Sequence, residues 1–186
     1  MSEFKYVGSE LELFSAVKNW KNYWSSQVRP FIAGDVLEAG AGLGSNTAYL
    51  DTNPGARKRW VCLEPDPNLT AQLSANLTAS AGGKQYETVC GTLQGVDGGQ
   101  RFDTIIYIDV LEHIEDDRGE LELAASRLRP GGRVIVLSPA HQSLFTPFDA
   151  AIGHFRRYDK SMLRAITPPS LVFEKLTYLD SLGLAL

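Results

Sequence analysis

The chain has 186 residues, of which 44% are hydrophobic and 22% are charged, and its formal net charge is −4. This composition is typical of one globular domain with a substantial core, and it excludes disordered and fibrous proteins. A net acidic chain lacks the basic surface of nucleic-acid-binding proteins, so we expect no nucleic-acid partner.

The chain has no run of the roughly 18 apolar residues that a membrane span requires. Its first residues show no basic segment followed by an apolar one, as a signal peptide would. Cys62 and Cys90 each lie in an apolar stretch, which favours two buried, reduced thiols. We therefore expect a cytoplasmic protein.

Strand-like and helix-like segments alternate along the chain. Continuous apolar runs such as TIIYI and RVIVL are typical of buried strands, whereas Trp20 and Trp24 belong to a pattern at helical spacing. Pro130 and the two glycines after it are expected to end a helix. In chain order, the sequence predicts a helix over 12–31, a strand over 34–40, a helix from 44–50, a strand over 59–65, a helix over 66–79, strands over 87–93 and 102–114, a helix over 119–132, a strand over 133–139, a helix over 160–166 and a strand over 171–179.

Alternating strands and helices predict an α/β fold with a doubly wound, mostly parallel sheet and helices on both faces. In such folds, ligands bind in the crevice outside the carboxyl ends of the strands. Polar or acidic residues stand at five of these predicted ends, namely Glu38, Glu64, Thr92, Asp109 and Ser138. The sequence therefore predicts a binding site at this edge of the sheet.

A glycine-rich loop follows the first predicted strand, where LEAGAGLGSN carries Gly40, Gly42 and Gly44. Glycine lets the backbone approach a ligand closely, and the helix that follows offers unpaired amides. The spacing differs from the dinucleotide pattern G-x-G-x-x-G, and Glu38 would repel a pyrophosphate. A carboxylate there suits a ligand with a cationic amino group. A plain turn is the alternative.

Glu64 stands at the end of the second predicted strand, about 20 residues after the glycine loop. A carboxylate at this place can accept hydrogen bonds from both hydroxyls of a ribose. A solvated carboxylate without a ligand is the alternative. Together, the loop and this acid predict a ligand that has a ribose and a positive charge near it.

Four stretches in the same order, VLEAGAGLGSNT, VCLEPDP, FDTIIYIDVLEHI and LRPGGRVIVLSP, carry a resemblance to a known family. They resemble the ordered motifs of class I S-adenosylmethionine-dependent methyltransferases, which have a Rossmann-like fold. The resemblance covers roughly residues 30–140. It implies one domain over 1–186 with its cofactor-binding core over 30–140, S-adenosylmethionine as the cofactor and S-adenosylhomocysteine as the product.

The resemblance also implies binding roles by position. The first acid and the glycine loop would hold the methionine part, Glu64 the ribose, and the stretch after the third strand the adenine. Thr92 stands where the family often has an aspartate, so its hydroxyl or backbone would have to replace that carboxylate. The implied cofactor-binding residues are Glu38, Ala39, Gly40, Gly42, Gly44, Asn46, Glu64, Pro65, Gly91, Thr92, Leu93, Asp109 and Val110.

Asp109, Glu112 and His113 follow the fourth predicted strand in the stretch DVLEH. His113 is the candidate general base, because the ordinary pKa of imidazole lies near neutrality, and a capping or packing role is the alternative. The three residues also resemble the E-x-x-E-H metal site of some quinol O-methyltransferases. Because D-x-L-E-H also occurs in relatives without a metal, we expect none.

The segment 141–165 is rich in histidine, arginine and aromatic residues and is predicted to be a lid over the acceptor. An arginine pair there can bind a carboxylate or phosphate of the acceptor. The alternative is that its charges fold the loop onto the domain through salt bridges. The candidate substrate-binding residues are His141, His154, Arg156, Arg157 and Tyr158.

The family's sheet normally ends in a strand hairpin, and no such hairpin is left in the sequence after 171–179. We therefore expect a truncated hairpin and an open edge strand that favours a homodimer. The sequence predicts an S-adenosylmethionine-dependent methyltransferase that acts on a small-molecule acceptor. The alternatives are a non-catalytic or truncated binding protein of the same fold and, less favoured, an NAD-dependent oxidoreductase.

Overall fold

The computed structural model describes residues 18–52, 57–80 and 85–179. Its strands are β1 (Gly34–Ala39), β2 (Arg57–Glu64), β3 (Glu87–Cys90), β4 (Phe102–Ile108) and β5 (Leu128–Leu137). Its helices are α1 (Lys18–Val28), α2 (Thr47–Leu50), α3 (Pro67–Ser80), α4 (Asp117–Ser126), α5 (Pro147–Ala151) and α6 (Lys160–Ile166). The strands form one parallel sheet in the order β3-β2-β1-β4-β5, which confirms the predicted α/β class.

Successive side chains of the central strands point to opposite faces of the sheet, as the geometry of a strand requires. On one face, Val36 of β1 packs in a cluster with Trp24 of α1 and Leu73 of α3. On the other face, Leu37 packs in a second cluster with Ala124 of α4. Helices therefore cover both faces, and every apolar side chain of β1 is buried against one of them.

The order of the sheet reverses beside β1. Leu37 of β1 lies opposite Val61 of β2 on one side and opposite Ile105 of β4 on the other. The chain thus runs outward from β1 to β3 and then returns to β4 on the far side of β1. Such a reversal opens a crevice at the carboxyl ends of the two strands, which is where the sequence predicts the site.

Helix α4 ends earlier, and β5 begins earlier, than predicted. The helix ends at Ser126 and the strand begins at Leu128. The pairing with β4 shifts from Phe102↔Leu128 to Thr104↔Arg133, so residues 129–132 form an irregularity in the strand. Proline is tolerated there because β5 is an edge strand of the described sheet. The proline and glycines therefore mark a break within a strand and do not end the helix.

The predicted strand over 171–179 is wrong, because these residues form no strand in the described structure. Side chains rather than a backbone ladder join this segment to the domain. Arg133 Nε lies 2.7 Å from Oε2 of Glu174, and the Tyr178 ring stacks on His141 with ring centroids 4.4 Å apart. The edge of β5 thus has no backbone partner within the described residues.

The structure tests several other predictions only in part. Residues 12–17 of the first predicted helix and residues 180–186 lie outside the described ranges, so the truncated hairpin and the homodimer stay predictions. Of the helices in the described ranges, none is both long and apolar enough for a bilayer span. Cys62 is buried, but Cys90 is exposed because it lies on the edge strand β3, so its predicted burial is wrong.

Candidate active site

A cavity of about 760 Å³ opens at the carboxyl ends of the strands. The last residues of four strands lie in its wall: Ala39 of β1, Glu64 of β2, Ile108 of β4 and Leu137 of β5. The structure brings most of the predicted cofactor-binding residues together in this wall. They are Ala39, Gly40, Gly42, Asn46, Glu64, Pro65, Gly91, Thr92, Leu93, Asp109 and Val110.

The glycine loop passes close to the end of β4. Gly40 and Gly42 have φ angles of +62° and +56°, in the left-handed region that favours glycine. A Cβ atom on Gly40 would lie 2.5 Å from Cγ2 of Val110. Both the conformation and the close approach require glycine at this position, and they let the loop backbone form part of the cavity wall.

Glu64 is fixed between the glycine loop and the start of α3. Its Oε2 accepts a hydrogen bond of 2.9 Å from the Gly42 amide, and its Oε1 accepts one of 3.0 Å from the Asp66 amide. Burial raises the pKa of Glu64, and the two amide hydrogen bonds oppose this rise because they stabilise the carboxylate. The carboxylate is thus held in one orientation at the cavity wall.

Glu38 and Gly44 do not belong to this wall. Glu38 is buried behind the loop, where its Oε2 accepts hydrogen bonds of 2.9 Å from Thr47 Oγ1 and 3.0 Å from Trp60 Nε1. Burial raises its pKa to about 7. A Cβ on Gly44 would lie 2.9 Å from Cδ1 of Leu73, so this glycine lets the loop pack on α3. Contrary to expectation, Glu38 therefore does not face the cavity.

Helix α1 contributes a cation that the sequence analysis did not identify. Trp20, Lys21 and Trp24 all lie in the cavity wall, and Lys21 Nζ donates a hydrogen bond of 2.9 Å to Ser45 Oγ of the glycine loop. Burial lowers the pKa of Lys21, while the carboxylates of Asp109 and Glu38 raise it. The sequence signal for this residue is a lysine between two tryptophans at helical spacing.

Asp109 follows β4 with a φ angle of +54°, which is uncommon for a residue with a side chain. Its backbone amide donates a hydrogen bond of 2.8 Å to the carbonyl of Leu137. Asp109 lies in the cavity wall and is exposed there, and the protein atoms around its carboxyl group raise its pKa, which the charge of Lys21 partly offsets. Lys21 and Asp109 thus place one positive and one negative group on the same wall.

The loop after β3 closes another part of the cavity. The Gly91 amide donates a hydrogen bond of 3.0 Å to the carbonyl oxygen of Glu64, and the side chain of Leu93 is buried. Thr92 lies between them, and its side chain does not cap the turn that follows. This loop therefore joins the carboxyl end of β2 to an apolar wall.

Glu112, His113 and His154 form a group that we call the histidine cluster. The two imidazole rings meet edge to face with centroids 4.5 Å apart, and His154 Nε2 lies 4.0 Å from Oε1 of Glu112. The backbone amide of Phe155 donates a hydrogen bond of 2.8 Å to the Glu112 carbonyl, which holds the two segments together. Burial, followed by the charge of Asp109, raises the pKa of Glu112.

Asp149 of α5 organises the segment that the sequence predicts to be a lid. Its carboxylate accepts hydrogen bonds from Arg157 Nε at 2.8 Å and from the Thr146 amide at 2.8 Å, and His154 Nδ1 lies 3.1 Å away. Burial alone would raise the pKa of Asp149, but these contacts outweigh burial and lower it. Arg157 lies in the cavity wall, but Asp149 accepts two hydrogen bonds from its guanidinium and balances its charge.

The remaining lid residues divide into two groups. His141 lies in the cavity wall, stacked on Tyr178. Arg156 and Tyr158 lie outside that wall, and both contact Asp117 at the start of α4. For these two residues the structure favours the alternative in which the charges of the segment fold it onto the domain.

The segment that carries His154 also brings apolar side chains into the cavity wall. Leu144, Phe148 and Ile152 line the cavity, and both Leu144 and Phe148 are exposed. Exposed large apolar side chains inside a cavity are typical of a wall that contacts a ligand. The cavity thus has one half at the glycine loop and a second half in which the histidine cluster lies beside the Asp149–Arg157 ion pair and these apolar side chains.

Residues 37–134 match the family model described as a methyltransferase domain. Because the match spans more than half of the 186 residues, the chain belongs to this family of methyltransferase domains. The matched range contains the glycine loop, Glu64, Asp109 and two members of the histidine cluster.

The curated relatives that the chain resembles are named as ubiquinone biosynthesis O-methyltransferases. The chain is 30% identical over 101 residues to the one from Bradyrhizobium sp. (strain ORS 278), which covers 54% of this chain and 38% of the relative. It is 31% identical over 110 residues to the one from Parvibaculum lavamentivorans, which covers 59% of this chain and 42% of the relative. The matched part thus spans less than half the length of these relatives.

Solved methyltransferase structures share the fold. A DhpI–SAH complex has a TM-score of 0.61 at 20% identity and covers 85% of this chain and 82% of its own. The magnesium protoporphyrin IX methyltransferase from Synechocystis PCC 6803 with bound SAM has a TM-score of 0.59 at 18% identity and covers 89% of this chain and 73% of its own. These similarities confirm the Rossmann-like methyltransferase fold.

Proposed function

We propose that the protein binds S-adenosylmethionine in this cavity and transfers its methyl group to a small-molecule acceptor. One contact carries the proposal: the Gly42 amide of the glycine loop donates a hydrogen bond of 2.9 Å to the Glu64 carboxylate at the end of β2. Membership of the methyltransferase domain family supports the reaction class.

The charged, polar and apolar groups of the cavity wall fit the different parts of this cofactor. The methionine part is a zwitterion, and Lys21 and Asp109 offer it one cation and one anion beside the loop. The carboxylate of Glu64 suits the ribose hydroxyls. Gly91 and Leu93 would flank the adenine, with Thr92 as its polar neighbour. The amino group, which we first expected at Glu38, is therefore assigned to Asp109.

The hydrogen bond between Gly42 and Glu64 also disfavours the binding of a dinucleotide. A pyrophosphate in a Rossmann fold is bound by the amides of the glycine loop. Here the Gly42 amide already donates its hydrogen bond to Glu64. The carboxylates of Glu64 and Asp109 also line the cavity where phosphates would lie. Repulsion of a pyrophosphate is therefore attributed to Glu64 and Asp109 and not, as the sequence suggested, to Glu38.

When bound, S-adenosylmethionine supplies a methyl group that is already activated as part of a sulfonium. The contribution of the protein is therefore mainly to position the acceptor against it. His113 lies in the wall of the half that would hold the acceptor, within the histidine cluster, where an acceptor proton can be accepted. His113 stays our candidate general base.

The walls of this half also favour a class of acceptor. The Arg157 guanidinium is paired with Asp149 and the Arg156 guanidinium with Asp117, so both positive charges are already balanced within the protein. Leu144 instead offers an apolar surface. We therefore infer a neutral, partly apolar acceptor whose hydroxyl or amine reaches the histidine cluster.

The test is to incubate the chain with methyl-labelled S-adenosylmethionine and a panel of neutral phenols, alcohols and amines, and to follow labelled product and S-adenosylhomocysteine by chromatography. We expect formation of S-adenosylhomocysteine that depends on the acceptor, and its loss in a Glu64→Ala variant. Binding of the cofactor without turnover of any acceptor would instead support the non-catalytic alternative.

A further inference from the structure

We propose that Glu112, His113 and His154 form a binding site for a divalent transition-metal ion at the acceptor half of the cavity. The presence of the ion is independent of methyl transfer, whereas its role in catalysis rests on the proposed function. The sequence predicts no metal, with Asp109, Glu112 and His113 as the candidate ligands if an ion binds. The structure assembles a different set.

The distances among the three side chains fit a metal site. One ligand atom from each of Glu112, His113 and His154 lies within 4.8 Å of the other two. Ligand atoms about 2.1 Å from a common ion are separated by about 3 to 3.5 Å, so small rotations of these side chains would close the site. Asp109 is not a member of this group.

His154 is oriented as metal-binding histidines usually are. Its Nδ1 lies 3.1 Å from Oδ1 of Asp149, and this carboxylate is itself held by Arg157 and Thr146. With Nδ1–H donating to Asp149, the lone pair of Nε2 is directed at Glu112, 4.0 Å away. A carboxylate on the second ring nitrogen fixes the tautomer and the orientation of a metal ligand.

Glu112 offers an unsatisfied oxygen to the same point. Its side chain is fully buried, Oε2 accepts a hydrogen bond of 2.9 Å from Ser138 Oγ, and Oε1 has no hydrogen-bond partner among the residues that the structure describes. A buried carboxylate oxygen that faces an imidazole lone pair is unfavourable without a positive charge between them. A divalent cation bound by both atoms would remove this cost.

The donor set indicates the class of ion. Two imidazoles and one carboxylate favour Zn²⁺, Mn²⁺ or Fe²⁺ over Mg²⁺ and Ca²⁺, which prefer oxygen ligands. All three residues lie in the cavity wall, so the remaining coordination positions face the space for the acceptor. With the ion bound, His113 would be a ligand and not the general base, and an acceptor hydroxyl on the ion would lose its proton to water at lower pH than a free hydroxyl does.

The test is a calorimetric titration of chelator-treated protein with Zn²⁺, with Mg²⁺ as a comparison. All proteins carry Cys90→Ser, because the exposed Cys90 thiol would itself bind zinc. The variants are Glu112→Gln and His154→Gln, and His141→Gln is the matched control because His141 lies in the same cavity but outside the cluster. Circular dichroism and S-adenosylhomocysteine affinity report whether each variant is folded.

We expect one zinc ion per chain, a loss of affinity of about tenfold or more in both cluster variants, and unchanged affinity in the control. We also expect zinc to raise the Tm of the protein whose cluster is intact. This result does not require any cluster variant to fold. No zinc binding, or equal binding in all four proteins, would overturn the proposal. Zinc binding without S-adenosylhomocysteine binding would overturn the proposed function alone, and the reverse result would overturn the metal site alone.

Discussion

The backbone amide of Gly42 donates a hydrogen bond of 2.9 Å to Oε2 of Glu64, and this bond joins the glycine loop to the carboxyl end of β2. It sets the orientation of a carboxylate in the cavity wall and occupies an amide that would otherwise bind phosphate. The geometry of the proposed cofactor site therefore depends directly on this pair.

Replacing Glu64 is expected to weaken cofactor binding. Glu64→Ala removes an acceptor for the ribose and leaves the Gly42 and Asp66 amides without their partner, so we expect a loss of about 1–3 kcal/mol in the binding free energy of S-adenosylhomocysteine. Glu64→Gln, which keeps one acceptor oxygen, should lose less. The measurement is calorimetric titration of each variant, and an unchanged Kd in Glu64→Ala would refute the ribose assignment.

Lys21 is expected to act on one part of the cofactor only. Lys21→Met keeps the apolar stem but removes the cation that we propose as the partner of the methionine carboxylate, so affinity for S-adenosylhomocysteine should fall. Affinity for 5′-methylthioadenosine, which lacks the amino-acid part, should not. Lys18→Met is the matched control, because Lys18 lies on the same helix and is exposed. Equal losses for both ligands would mean that Lys21 only packs the cavity wall.

A side chain at Gly40 is expected to disturb both the fold and the site. Gly40→Ala adds a Cβ 2.5 Å from Val110 Cγ2 at a φ angle of +62°, so the free energy of unfolding should fall by about 1–3 kcal/mol. Urea unfolding measures this change. Gly95→Ala is the control, because a Cβ at Gly95 meets no atom of the described part of the chain within 4 Å. If both variants unfold alike, the loop does not pack against β4 as described.

Glu38 makes the stability of the protein depend on pH. Its pKa is raised to about 7 by burial, above the usual 4.5, so the folded state binds a proton that the unfolded state has released. The contribution of Glu38 to stability should therefore be greatest at low pH and fall, by up to about 3 kcal/mol, as pH rises from about 4.5 to about 7.

The matched variant for this prediction is Glu38→Gln, which keeps an acceptor for Thr47 and Trp60 but cannot ionise. Urea unfolding of both proteins between pH 5 and pH 8 isolates the contribution of Glu38, because all other titrating groups are shared. The stability of the parent chain relative to Glu38→Gln should decrease over this range. A constant difference between the two would show that Glu38 ionises at its ordinary pKa.

The sequence predicts the sheet well because its strands are buried on both faces. Continuous apolar runs such as 102–108 have no other place in a small domain, and all five strands of the sheet were predicted at the right positions with errors only at their ends. The segment 171–179 has similar composition, yet forms no strand in the described structure. Composition alone does not show whether such a segment finds a backbone partner.

The site is predictable only where a residue's role follows from its position along a strand. Glu64 lies at a strand end and reaches the cavity, but Glu38, two residues before Gly40, is turned behind the loop by Thr47 and Trp60. Which partners neutralise Arg156 and Arg157 likewise depends on contacts between distant segments. The approach of His154 to Glu112 spans 42 residues, and no local pattern predicts it.

The most direct test of the central claim is a calorimetric titration of S-adenosylhomocysteine into the purified chain, with NAD as the comparison. We predict binding of S-adenosylhomocysteine with a micromolar Kd and no binding of NAD. Binding of NAD alone would contradict the account of Gly42 and Glu64. Binding of neither ligand would contradict the assignment of this cavity as a cofactor site.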